Sequence, residues 1–118
     1  FVLGGRECTL GSAMATVEAY DPAADEWRSL PDMGTAHGGF GAAVVDGMAY
    51  AVGGELPDRA LDTVEALDLS SESWATVEPV PTPRHGHVVA AAEGRAYVIG
   101  GADVPTFGAV DDVESYAP

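Results

Sequence analysis

The chain has 118 residues, enough for one ordinary domain, and carries 19 acidic side chains against 5 basic ones for a net charge of −14. A surface of that sign repels phosphate backbones and anionic headgroups, so nucleic acid is excluded as an expected partner, and the absence of any long apolar run excludes membrane insertion. Every Lys/Arg position is arginine, and Lys, Asn and Gln are missing altogether; adaptation to high salt and a GC-rich coding bias account for this equally well, so acidity alone carries no function.

In chain order, Phe1-Val-Leu reads as a strand closed by Gly4-Gly5. A long connection, Arg6 to Thr16, leads to Val17-Glu18-Ala19-Tyr20-Asp21, and a turn then brings in a strand carrying Trp27. Gly39 to Val45 is small and apolar, which suits a crowded strand covered on both faces. Asp46-Gly47 is a two-residue hairpin signal, and Met48 to Val52 returns from it to a second diglycine, Gly53-Gly54. After a second long connection, Glu55 to Asp62, the stretch Thr63 to Leu69 alternates in polarity, a Ser-Ser-Glu turn follows, and Ser73 to Val77 carries Trp74. Val88 to Ala92 and Ala96 to Ile99 then flank Glu93-Gly94, and the third diglycine, Gly100-Gly101, precedes the connection Ala102 to Asp112 and the final Val113-Glu114-Ser115-Tyr116. Pro and Gly recur at turn positions, and no window sustains apolar residues at helical spacing, so no α-helix is expected.

The landmarks return at one period. Gly5, Gly54 and Gly101 stand 49 and then 47 residues apart, Val17-Glu18, Val64-Glu65 and Val113-Glu114 follow them in register, and Trp27 and Trp74 are 47 apart. A period near 50 is the signature of a repeat architecture. With the four strands of one period labelled a to d, the chain holds b-c-d, then a-b-c-d, then a-b-c, which predicts units at residues 1–30, 31–78 and 79–118. The expected fold class is all-β: four-stranded antiparallel meanders stacked radially as in a β-propeller, with the small strand a innermost. A closed toroid takes about four to eight such blades. The chain is therefore expected to be an internal piece of a longer protein, or a protomer that completes its sheets with another molecule, and its open strand edges are expected to favour self-association.

These residues resemble the kelch repeat. Arg84-His85-Gly86-His87, Asp46-Gly47, Tyr50, Gly53-Gly54, Val17-Glu18-Ala19-Tyr20-Asp21-Pro22 and Trp27 match its pattern of Arg-x-Gly-His, Asp-Gly, Tyr, Gly-Gly, Val-Glu-x-Tyr-Asp-Pro and Trp, over essentially the whole chain. The copies depart from one another at three places: His37 stands where Arg84 stands, Phe40 where His87 stands, and Leu67 replaces the Tyr of strand c. The resemblance implies a scaffold rather than a reaction.

Antiparallel a-b-c-d connectivity puts the b–c connections and d–a links on one rim and the tight a–b and c–d turns on the other. The first rim gathers Arg6, Arg59 and Arg84 with His37, His85 and Glu55. In kelch propellers this rim is the usual ligand face, so the resemblance implies that these six residues are the candidate ligand contacts. An arginine there can grip a carboxylate with two parallel bonds, and can equally serve as an ion-pair partner inside the repeat. His85 and His87 share one strand face without an evident third ligand, the recurring Glu18, Glu65 and Glu114 read as scaffold, and Cys8 reads as an incidental thiol; no metal or cofactor is expected. The leading expectation is a module that binds a protein or peptide partner bearing acidic groups. Part of a sugar-acting propeller enzyme, of the galactose-oxidase type or the sialic-acid epimerase or mutarotase type, is the enzyme alternative, and a structural or oligomerisation module is the third.

Overall fold

The computed structural model describes residues 1–105 and 108–118; Thr106 and Phe107 of the third long connection lie outside the description. Twelve short strands form the architecture: β1 (Val2–Leu3), β2 (Val17–Asp21), β3 (Glu26–Leu30), β4 (Gly41–Val45), β5 (Met48–Val52), β6 (Glu55–Leu56), β7 (Arg59–Ala60), β8 (Val64–Asp68), β9 (Ser73–Val77), β10 (Val88–Ala92), β11 (Arg95–Ile99) and β12 (Val113–Tyr116). They assemble as a three-stranded sheet β1-β2-β3, a four-stranded sheet β4-β5-β8-β9 and a three-stranded sheet β10-β11-β12, all antiparallel, with β6 and β7 pairing as a small separate hairpin. This is the b-c-d, a-b-c-d, a-b-c order of a kelch-type propeller, and among the described residues there is no α-helix.

The three sheets are held face to face by two apolar layers. Val17 and Ala19 of β2 meet Ala49 and Ala51 of β5 and Leu67 of β8, with Leu30 and Met33 closing the layer. On the opposite face of the central sheet, Tyr50, Val52, Val64 and Ala66 meet Ala96 and Val98 of β11. Odd and even residues of β5 thus serve different layers, which is why that strand reads as continuously apolar and is buried from Ala49 to Val52. Strand β2, the counterpart of β8, alternates between buried and exposed where β8 is buried from Val64 to Leu67, because the outer face of its sheet has no neighbour among the described residues. Strands β4 and β10 approach closely at their inner ends: a Cβ on Gly41 would come within 2.5 Å of Val89 Cγ2. Gly41 leaves no room for a larger side chain there, but strand a is not covered on both faces as expected: β4 alternates between half-buried and exposed residues up to the buried Val45, and β10 is exposed apart from the half-buried Val89, because no neighbour covers the rest of these strands among the described residues.

The turns repeat as faithfully as the strands. Asp46-Gly47 and Glu93-Gly94 both lie wholly at positive φ, the backbone that matches the right-handed twist of a two-residue hairpin. In the c–d turns, Asp21 Oδ1 accepts from the Ala23 amide at 2.8 Å, and Asp68 Oδ1 accepts from the Ser70 amide at 2.8 Å and the Ser70 hydroxyl at 2.7 Å. Those donors hold the Asp68 carboxyl down at about 2, the Ser70 hydroxyl contributing most.

Two further details differ from the sequence expectation. Strand a starts at Gly41 rather than Gly39, because Gly39 sits at φ 66° and turns the chain. Two of the long connections also carry structure: Leu10–Ser12 is a single 3-10 turn in which the Ser12 hydroxyl donates to the Thr9 carbonyl at 2.8 Å, and β6 and β7 fold back around Pro57-Asp58.

The diglycines repeat in conformation: φ is 50° and 104° at Gly4-Gly5, 61° and 110° at Gly53-Gly54, and 64° and 99° at Gly100-Gly101. A Cβ on Gly53 would lie 2.5 Å from the Arg84 carbonyl oxygen, whereas one on Gly47 would meet open space. Both residues have positive φ, so the pair separates backbone strain from steric collision. Gly47→Ala is expected to cost about 1 kcal/mol and Gly53→Ala about 3 kcal/mol or more, measured by denaturant unfolding.

Candidate functional site

The rim that carries the b–c and d–a connections is built around the residue that precedes strand a. His37 and Arg84 are equivalent, and each is completely buried. The His37 carbonyl accepts from the Gly5 amide of the first sheet at 3.1 Å, and its ring nitrogens lie 2.6 Å from the Gly53 carbonyl and 2.9 Å from Glu65 Oε2 of its own sheet. Arg84 repeats this one sheet further on. Its carbonyl accepts from the Gly54 amide at 2.8 Å, Nη1 donates to the Gly100 carbonyl at 3.1 Å, and Nη2 lies 2.9 Å from Glu114 Oε1. Expected among the ligand contacts, these two residues are enclosed, and their side chains are engaged by the scaffold's own acceptors.

Three other candidates converge. Glu55, which follows the central diglycine, is 3% exposed; its Oε1 accepts from Arg6 Nη1 at 2.7 Å, and His85 Nδ1 stands 3.5 Å from its Oε2. His85 Nε2 donates to the Val104 carbonyl at 2.9 Å. Arg6 comes from the first sheet, Glu55 from the second and His85 from the third, so one buried carboxylate collects side chains from all three. Gly39 forms the remaining wall, with a hypothetical Cβ 3.6 Å from both Arg6 Nη2 and Glu55 Oε1 and 3.8 Å from His85 Cβ. Arg59 stands apart at the tip of the β6–β7 hairpin, its side chain 61% exposed and paired at 3.1 Å with the adjacent Asp58.

A separate, mostly apolar cavity of about 250 Å³ lies between β5/β8 and β11/β12, lined by Tyr50, Val52, Val80, Val98 and Tyr116 and bordered by Glu114. No single stretch of sequence announces it, because its walls come from two sheets.

Two structural roles escaped sequence reasoning. Gly39, read as strand, is instead a wall of the rim cluster. His87 fills a slot against glycines, where a Cβ on Gly53 would meet its Cε1 at 2.9 Å and one on Gly101 would meet its Cβ at 2.8 Å. Phe40 fills the equivalent slot at the preceding interface, against Gly4 at 2.9 Å and Gly54 at 3.2 Å. The exchange of Phe40 for His87 between copies was the available signal: the position wants a flat ring. Burial pulls the His87 imidazole down to about 4; the Arg84 and His85 charges act in the same direction, and the Val52 carbonyl opposes them.

His87 therefore stays neutral in the folded chain where the unfolded chain, titrating near 6.5, already binds a proton. Its contribution is complete above about pH 6.5 and is lost as pH falls toward about 4. His87→Phe, which places in this slot the ring that Phe40 supplies to the other copy, is expected to flatten that part of the acid limb in denaturation curves recorded across this range.

A family model described as the kelch motif matches residues 1–34 and 36–81. Those two consecutive copies span more than half of the chain, and their shared landmarks, the diglycine and the strand-c Val-Glu, recur again at Gly100-Gly101 and Val113-Glu114. Kelch repeats are scaffolds commonly used for protein interaction. By motif, strand order and the geometry of its repeating diglycines, this chain belongs to the kelch-repeat family.

Proposed function

We propose that the chain is an interaction scaffold whose b–c/d–a rim docks a protein or peptide partner, with Arg59 and Arg6 meeting acidic groups on that partner. The observation that carries this reading is the convergence of Arg6, Glu55 and His85, one from each sheet, on a single rim cluster. Loops held in that way present a surface whose shape is set by the scaffold, which is what recognition by a rigid fold requires. Arg59 is the cation freest to reach outward. Its exposed pairing with Asp58 is worth about 0–1 kcal/mol, so exchanging that carboxylate for a partner's costs little. Arg6, with its side chain 34% exposed, gives one guanidinium donor to Glu55 and keeps others for a second acceptor. In this reading His37 and Arg84 support the surface without touching the partner.

An array of short acidic, neutral and basic peptides tests the proposal, with Arg95 as the control because it lies on the opposite rim, where its Nη2 donates to Ser115 Oγ at 3.0 Å. Arg59→Glu is expected to weaken binding of acidic peptides about tenfold or more, equivalent to about 1.4 kcal/mol, and Arg95→Glu to leave it unchanged. Equal loss in both variants, or loss in neither, would remove the rim assignment.

A further inference from the structure

The two equivalent buried side chains differ in one chemical respect. Arg84 carries its charge at any accessible pH, whereas an imidazole does not. We infer that His37 is a proton-dependent latch: with a proton shared between His37 and Glu65 it fastens the Thr35–Gly39 segment to the central sheet, and loss of that proton frees the segment, which is one wall of the rim cluster.

The geometry sets the requirement. His37 Nδ1 lies 2.6 Å from the Gly53 carbonyl oxygen and Nε2 lies 2.9 Å from Glu65 Oε2. Both neighbours are acceptors, and a neutral imidazole has one N–H. Both contacts are hydrogen bonds when the ring carries a hydrogen on each nitrogen, the state that the latch requires. Removing one of them leaves a bare ring nitrogen facing either the carboxylate or the Gly53 carbonyl oxygen, at a place where the two side chains are 0% and 4% exposed. Water cannot take up the difference there, and a buried acceptor that loses a hydrogen-bond donor is costly.

Glu65, reaching across from β8, is the charged group that faces His37. Phe40 covers the ring at 5.3 Å between centroids, and the first sheet approaches through Met14 backbone. Arg6 and Glu55 lie beyond Gly38 and Gly39 and are bonded to one another.

The segment held by this latch touches every sheet. The Thr35 amide donates to Glu65 Oε2 at 3.1 Å, the Gly5 amide to the His37 carbonyl at 3.1 Å, the Glu55 amide to the Gly38 carbonyl at 2.8 Å, and the Gly86 amide to the Gly39 carbonyl at 2.7 Å. Gly39 in turn packs against Arg6, Glu55 and His85. Release at His37 therefore loosens the rim cluster itself, whatever partner that rim takes. The equivalent segment before Arg84 has no such dependence.

Two measurements on the unmodified chain test this without a partner. Nitrogen chemical shifts of the His37 ring report directly whether both nitrogens carry hydrogen, and amide exchange reports the order of the segment. Both His37 nitrogens are expected to carry hydrogen at mildly acidic pH. Above the transition, protection of the Thr35 and His37 amides is expected to fall about tenfold per pH unit, the linkage slope for one released proton. The Arg84 amide, bonded to the Leu61 carbonyl at 3.0 Å, is the internal control and should keep its protection. His37→Arg, which copies Arg84, is expected to abolish the pH dependence at Thr35. A His37 ring with one bare nitrogen throughout, equal loss of protection at Arg84, or a wild-type profile in His37→Arg would each overturn the inference. Should His37→Arg fail to fold, the ring spectrum and the Arg84 control decide the matter on the native chain.

Discussion

The fold depends on a backbone-to-side-chain relay centred on the residue before strand a. His37 accepts from Gly5 of the preceding sheet through its carbonyl and grips Gly53 and Glu65 of its own sheet through its ring. Arg84 continues the relay from Gly54 to Gly100 and Glu114. One residue thus satisfies donors and acceptors in two sheets at once, at the depth where an unpaired polar group would be most expensive. The diglycines are what make this possible, since a Cβ on Gly53 would collide with the Arg84 carbonyl that closes the relay, and one on Gly101 would collide with the neighbouring His85 carbonyl. The apolar layers on either side of β5 supply the bulk of the burial, and the relay fixes the register in which those layers meet.

Sequence variation has a defined place in such a scaffold. The b–c connections leave it after the diglycine and return to it before strand c, at hydrogen bonds that recur in all three sheets: Met14 to Gly5, Leu61 to Gly54 and Val110 to Gly101, each 2.8–2.9 Å. What lies between those anchors differs from copy to copy, as a 3-10 turn in one and a β-hairpin in the next. The anchors absorb the conformational constraint and leave the connections free to vary.

The fold was legible in the sequence because each landmark answers a local backbone requirement that recurs at one spacing: positive φ at the diglycines and hairpin turns, and alternation in strand c. Strand order followed from counting. The rim was less legible. Charge and position put His37 and Arg84 with Arg6 and Arg59, but whether a cation points into the scaffold or out of it depends on a carboxylate on another strand or in another copy. Arg6 finds Glu55 across two sheets, and Glu55 is buried although it opens a connection that reads as surface. Nothing local to those residues encodes these pairings, because they arise only when neighbouring sheets are stacked.

The crowding of the inner strands bears on the taper of the stack. Gly41 lets β4 come against Val89 of β10 at one interface of the central sheet, while at its other interface the outer strand β9 carries a large residue, Trp74, whose indole donates to the Pro31 carbonyl at 2.8 Å. Where strand a packs more closely than strand d a unit is a wedge, and that difference sets the angle through which one unit is rotated from the next. The side-chain volume along strand a is thereby a determinant of how many wedges complete a circle.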